Sequence, residues 1–368
     1  MELYEKIYVK PDFLETVHGE IGCEVCHGGD PGDSDWQTAH QKVVRDPTFP
    51  DPAATCGECH ADIVASAPQG LHYTLAPLRR SVEIRSQGAT PETGRIVHEA
   101  REKHCAQCHS SCGQCHVSRP DYVAGGFLDR HHFQAKPPMN TTCASCHGGR
   151  VHGEYTGAKE DFKPDIHYDG GEMTCLSCHK GEEMHAAAGK IPSRFEVPQR
   201  PKCAACHADA EAEESSNRSH RLHRRKVACQ VCHAQANKNC FSCHVGTDQK
   251  GLAYFKCGRT TTLFKIGLNP RRTDERPQDF VVLRHPPVDP TLFDAYVANA
   301  LPDFDAVPTW KLDTPHNLRR HTPQNKTCNG CHGNAELFLG EADLAPWEKA
   351  ANKAVIVPQE RIPKPVEE

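Results

Sequence analysis

No run of about 18 apolar residues occurs anywhere in the chain, so no membrane-spanning helix is visible in the sequence. The opening Met-Glu-Leu-Tyr-Glu-Lys has none of the apolar stretch of a secretory leader. Apolar residues make up only 37% and aromatics 7%, beside 28 Pro and 27 Gly, which is poor material for a large side-chain core. Methionine is scarce as well: Met1, Met139, Met173 and Met184 are the whole supply. There is no excess of positive charge, the formal net charge being −5.

What the chain has in quantity is cysteine and histidine, 21 and 25 of its 368 residues. Twenty of the cysteines fall into ten Cys-x-x-Cys pairs, each followed at once by His. The pairs are Cys23 and Cys26, Cys56 and Cys59, Cys105 and Cys108, Cys112 and Cys115, Cys143 and Cys146, Cys175 and Cys178, Cys203 and Cys206, Cys229 and Cys232, Cys240 and Cys243, and Cys328 and Cys331. The histidines that close them are His27, His60, His109, His116, His147, His179, His207, His233, His244 and His332. Cys-x-x-Cys-His is the attachment signature of c-type haem. Two thiols add across the vinyl groups, and the adjacent imidazole is carried under the iron as its proximal ligand. The expected cofactor is therefore ten haem c.

Three other readings use paired cysteines. Zinc ribbons take four ligands per metal but do not need a His after every pair. A disulfide framework and a run of thioredoxin-like redox pairs leave the His unexplained too. At this histidine frequency, ten of ten by chance has a probability on the order of 10⁻¹². Haem plates would also supply the apolar surface that the side chains lack, and the haem-free chain is expected to be largely unfolded. Each ferric haem with two His ligands adds about −1 through its propionates, so the loaded chain is strongly acidic and nucleic acid is excluded as a partner. Arg79-Arg80, Arg224-Arg225-Lys226, Arg271-Arg272 and Arg319-Arg320 are available to pair with propionates or to face solvent.

The second axial ligand decides what such a chain can do. A saturated iron carries electrons; an open one binds substrate. With Met scarce and 15 His left after the ten proximal ones, two His per iron is the default. The ten candidates are His18, His40, His72, His104, His131, His167, His185, His220, His223 and His316, with His98, His132, His152, His285 and His321 in reserve. His104 adjoins Cys105 and is too close to serve its own motif. Cys257 is left over, open to reading as a buried free thiol, an intermolecular disulfide or an unusual iron ligand.

The motifs divide the chain unevenly. Residues 1–245 hold nine, and two spacers there are very short, at His109–Cys112 and between the motifs opening at Cys229 and Cys240. Residues 246–315 hold none and read as a haem-free insertion that is partly β. Strands are predicted over Thr260–Leu268, with Phe264, Ile266 and Leu268 on one face, and over Asp279–His285. A helix is predicted near Thr291–Leu301, behind Asp289-Pro290. Residues 316–345 carry the tenth motif. Ala335–Val355 has helical composition interrupted at Pro346, and the tail from Pro358 reads as extended or disordered.

The motifs resemble those of the multihaem cytochrome c superfamily over roughly residues 18–335. The block Cys105–Pro120, ending Cys-His-Val-Ser-Arg-Pro, with Asp165-Ile166-His167-Tyr168 and Glu183-Met184-His185, is similar to multihaem cytochromes of anaerobic respiratory bacteria. The resemblance implies a fold of low regular secondary structure, with short α-helices and loops around a chain of ten haems and the small β-containing insertion beside it. It implies a distal role for His167 and His185, and a periplasmic or extracellular location reached by a leader since removed or by another export route. It also implies redox protein partners, either membrane quinol-linked or outer-surface cytochromes. Three functions remain open: an electron conduit, a filament subunit whose haem chain continues into the next copy (with His18 as the lent ligand), and a reductase or oxidase of a small nitrogen or sulfur compound. No Cys-x-x-Cys-Lys marks a catalytic haem.

Overall fold

The chain folds through many one- and two-turn helices, because Gly or Pro punctuates almost every apolar stretch. In the computed structural model, residues 2–106, 110–120, 123–158 and 163–367 are described. The longest helix, Pro91–His104, runs 14 residues. Pro91 sits at its first position, and the Thr90 side chain accepts from the Thr93 N–H to cap it. Among the described residues no helix is long and apolar enough to cross a membrane.

Two compact units interleave along the sequence. The first comprises Met1–Pro77, Ala106–Gly148 and Thr174–Arg200. Five whole motifs fall within it, those opening at Cys23, Cys56, Cys112, Cys143 and Cys175. Its side-chain core is small: Ala186, Ile191 and Val197 form the one clustered set among its described residues, with Leu71 against them.

The second unit comprises Leu78–Cys105, Gly149–Met173 and Pro201–Glu368 and is far better packed. Strands β1 (Asn237–Thr247) and β2 (Ala253–Leu263) form an antiparallel hairpin. Strands β3 (Lys265–Leu268), β4 (Phe280–Arg284) and β5 (Lys311–Leu312) form a second antiparallel sheet in the order β3-β4-β5. β4 is buried on both faces, as its unbroken apolar run demands. Val281 and Leu283 pack with Trp310, Leu339 and Val355, while Val282 faces Val231, Ile266, Phe338 and Val357. A third cluster joins Val82, Val97 and Ala100 to Val245, Phe293, Leu301 and Phe304. Beneath the sheets Arg150 Nη1 holds the buried carboxylate of Glu154 at 3.0 Å and that of Asp313 at 3.3 Å.

Several expectations for this region change. The strand predicted over Thr260–Leu268 is the end of β2 and the whole of β3, broken at Phe264. Its second predicted neighbour is β4. No helix forms over 291–301. Linked turns replace it, with Tyr296 N–H donating to Phe293 O at 2.8 Å, and Asn299 at φ 53° ends any helical path. The reason is tertiary: a chain of turns lets Phe293, Ala300 and Leu301 all reach one core. Ala335–Val355 is likewise not one helix. Leu339 N–H donates to Ile266 O, and Val357 N–H to Leu339 O, so the segment joins the sheet edge, leaving single helical turns and the helix Lys349–Asn352. The tail is ordered: Gly333 N–H donates to Pro363 O at 2.7 Å and Asn329 pairs with Val366.

Phe293 is fully buried. Phe293→Ala should therefore destabilise the second unit by about 3–5 kcal/mol, measured as a lower guanidinium midpoint for loss of far-ultraviolet circular dichroism.

Candidate functional site: opposed histidine pairs

Most of the motifs are wound as a single helical turn. The helices Cys23–His27, Cys112–His116 and Cys229–His233 span whole motifs. Elsewhere the closing His N–H donates to the first Cys carbonyl: His60 to Cys56 at 2.8 Å, and His179 to Cys175, His207 to Cys203 and His332 to Cys328 at 2.9 Å. In such a turn residues i, i+3 and i+4 share one face, so both thiols and the imidazole point the same way. The ninth motif differs, lying within β1. There Ser242 takes φ 49°, opposite Gly258, where a Cβ would stand 3.1 Å from the Ser242 Cβ. That left-handed residue breaks the strand alternation.

Each of seven motif histidines faces a second histidine from elsewhere in the chain. In the first unit the ring centres of His27 and His131 lie 5.9 Å apart, His60 and His18 6.2 Å, His116 and His185 6.0 Å, and His147 and His72 6.1 Å. In the second unit the pairs are His207 and His167 at 6.1 Å, His233 and His220 at 6.2 Å, and His332 and His223 at 6.1 Å. A bond of about 2 Å from each imidazole nitrogen to a shared metal puts two trans rings about 6 Å apart, centre to centre. Direct stacking would bring them closer. The spacing thus fits one iron between each pair, with two thiols of the same motif on the proximal side. Sets of three or more metal-binding side chains, as zinc requires, are absent among the described residues.

Hydrogen bonding fixes which nitrogen is free. Nδ1 is engaged with Val44 O in His27 and Gln134 O in His116, each at 2.7 Å. It is engaged with Arg319 O in His233 at 3.1 Å and Lys364 O in His332 at 3.0 Å. His167 uses Nδ1 on Asp165 Oδ1 at 2.8 Å, His179 on Glu183 Oε2 at 2.9 Å, and His223 on Ser219 O at 2.8 Å. With Nδ1 held, Nε2 is left to ligate, and the outer partner orients the ring. Burial pushes the pKa of His18, His72, His131, His185 and His233 down, and the opposed ring adds to the effect at His18, His131 and His185. All five are neutral at pH 7, the form a metal needs.

The other candidates are placed differently. Cys108 and His109 lie outside the described residues. His40 engages Trp36 O through Nδ1 at 2.7 Å. His104 is joined through Nε2 to Tyr296 Oη at 2.7 Å, the nitrogen a ligand would use. The His316 backbone N–H donates to Glu154 Oε2 at 3.3 Å. His18, considered as a ligand lent to another copy, faces His60 of its own chain. Among the reserves, His132 pairs with Asp12, and His285 is fully buried between Cys240 O and the Glu348 carboxylate. Three of the basic clusters meet protein carboxylates: Arg224 and Arg225 share Glu213, Arg272 meets Asp279, and Arg319 meets Asp169.

The thiols also approach one another between motifs. The thiol of Cys143 lies within interaction range of that of Cys175, and the thiol of Cys203 within that of Cys229. Adjacent motifs in sequence are therefore side by side at these two places. Cys257 is exposed rather than buried, because it lies on β2 opposite Cys243, where its thiol donates to Phe241 O at 3.1 Å. It is in no disulfide.

The depressed histidines carry a pH signature. Their folded-state pKa values lie below the ordinary value of about 6.5. The stabilisation from their neutral forms is complete above that pH and is lost as pH falls through the depressed values. The thermal midpoint should be flat above pH 7 and fall as the pH drops below about 6.5; a rise there would contradict the assignment.

No protein-family profile, no curated protein and no solved structure matches this chain.

Proposed function

We propose that this chain is a ten-haem c-type cytochrome that conducts electrons, working in the periplasm or at the cell exterior between redox protein partners. The observation that carries the reading is the set of seven opposed histidine pairs, each joining a Cys-x-x-Cys-His imidazole to one from outside its motif at 5.9–6.2 Å. Haem, when bound, supplies a one-electron iron couple whose potential the axial ligands set. The chain's own residues do the rest. The paired thiols would tether the group, and the motif His and the distal His would together hold its iron and keep substrates off it. The close approaches of Cys143 to Cys175 and of Cys203 to Cys229 favour transfer, since they place neighbouring motifs side by side.

The small apolar core of the first unit agrees with an interior filled partly by porphyrin. So does the split of motifs, with the better-packed unit holding fewer whole ones.

Intact mass and pyridine haemochrome absorbance should both return ten haems per chain, and paramagnetic resonance of the oxidised protein should be dominated by low-spin signals. Zinc in place of haem, or predominantly high-spin iron, would overturn the reading.

A second outcome concerns Asp165, whose buried carboxylate accepts from both the backbone N–H and Nδ1 of His167. Asp165→Asn removes the negative charge that makes this imidazole a stronger donor. One haem potential should rise by roughly tens of millivolts, visible as a single displaced component in a spectroelectrochemical titration.

A further inference from the structure

Two of the opposed pairs draw on one helix. Arg218–His223 presents His220 to His233, the histidine of the eighth motif, and His223 to His332, that of the tenth. Residues three apart on a helix share a face, with about 5–6 Å between their Cβ atoms, so both rings leave the helix on one side. The helix is held on either flank. Asn217 Oδ1 accepts from the Ser219 N–H at 2.8 Å, the Arg221 guanidinium donates to Ser215 O, and the Val227 N–H donates to His223 O at 2.9 Å. The two motifs also meet directly. Just ahead of the tenth, Thr322 Oγ1 donates to Cys232 O, and Nε2 of the buried Gln324 donates to Val231 O at 3.1 Å and to Ala234 O at 2.8 Å. The Cys331 thiol stands near enough to Cys232 to add to the burial that pushes the Cys232 thiol up to about 11.

We infer that the helix Arg218–His223 is a shared ligand arm for two irons, and that it makes the eighth and tenth sites immediate neighbours for electron transfer although the ninth motif lies between them in sequence. This rests on the haem reading above and adds to it an order of transfer. The step is one electron leaving the ferrous site and reducing the ferric one, with no bond made or broken. A single helical turn fixes the two distal imidazoles relative to each other. The strap Thr322–Gln324 fixes the two motifs backbone to backbone. His220 and His223 are therefore the residues that set which site follows which, and chain order does not.

The test is the arrangement of iron in the holoprotein, located by anomalous X-ray scattering from crystals of the loaded chain. The irons of the eighth and tenth motifs should be adjacent, each bonded to one imidazole of the helix, with no third iron between them. In solution, His220→Ala and His223→Ala should each turn one low-spin component of the oxidised protein high-spin and let the reduced form take up one carbon monoxide. The double variant should show two of each. An iron of another motif between the two, either histidine away from iron, or a single altered component in the double variant would overturn the inference alone. A wild-type chain without haem would overturn the parent reading instead. Should the alanine chains not accumulate, His220→Met and His223→Met keep an axial donor and decide the ligation: each should raise one component of a spectroelectrochemical titration, and the double variant two.

Discussion

Two imidazoles held about 6 Å apart across a gap the width of one metal ion are the constraint around which this chain is arranged. Several such pairs join a motif to a segment far away in sequence, as His27 to His131 and His72 to His147. Left without a metal, a pair of rings facing across such a gap gains little: it is too wide for direct stacking, and burial keeps several of these rings from taking a proton. A shared iron would turn each pair into a crosslink, and crosslinks that close long loops remove the most entropy from the unfolded chain. On the proposed reading, this is how a chain so poor in apolar residues holds a fold together.

The constraint falls unequally. In the first unit Ala186, Ile191 and Val197 are a core of three, and the same unit holds four opposed pairs. In the second, β4 is sandwiched between two apolar clusters, and a third cluster lies under Phe293. Side-chain packing can sustain that unit on ordinary terms. It is also where a motif is laid into a strand, a placement that the packing of Val245 and Phe293 supports and a free helical turn would not. The freedom to present one histidine differently thus arises where the core is strongest.

Much of the site was legible because its chemistry is local. Two thiols and an imidazole at i, i+3 and i+4 belong to one turn, so the twenty thiols and ten proximal histidines could be read off directly. Seven of the distal candidates, His18, His72, His131, His167, His185, His220 and His223, stand opposite motif histidines. Scarcity of Met and surplus of His pointed to their residue type. Which motif each would serve was not legible: His131 faces the first motif and His18 the second, against the order of the chain. The predicted helix at 291–301 failed for a related reason, since its periodicity competed with a core that needs Phe293 and Leu301 together.

By itself the sequence determined the number of motifs and the placing of two thiols and an imidazole within each, because spacing within five residues decides them. Only the tertiary structure decided the partners: which histidine faces which, which thiols lie near one another, and that His104 meets Tyr296. Those choices depend on how segments outside a motif's own five residues are brought together, and short-range pattern carries no record of that.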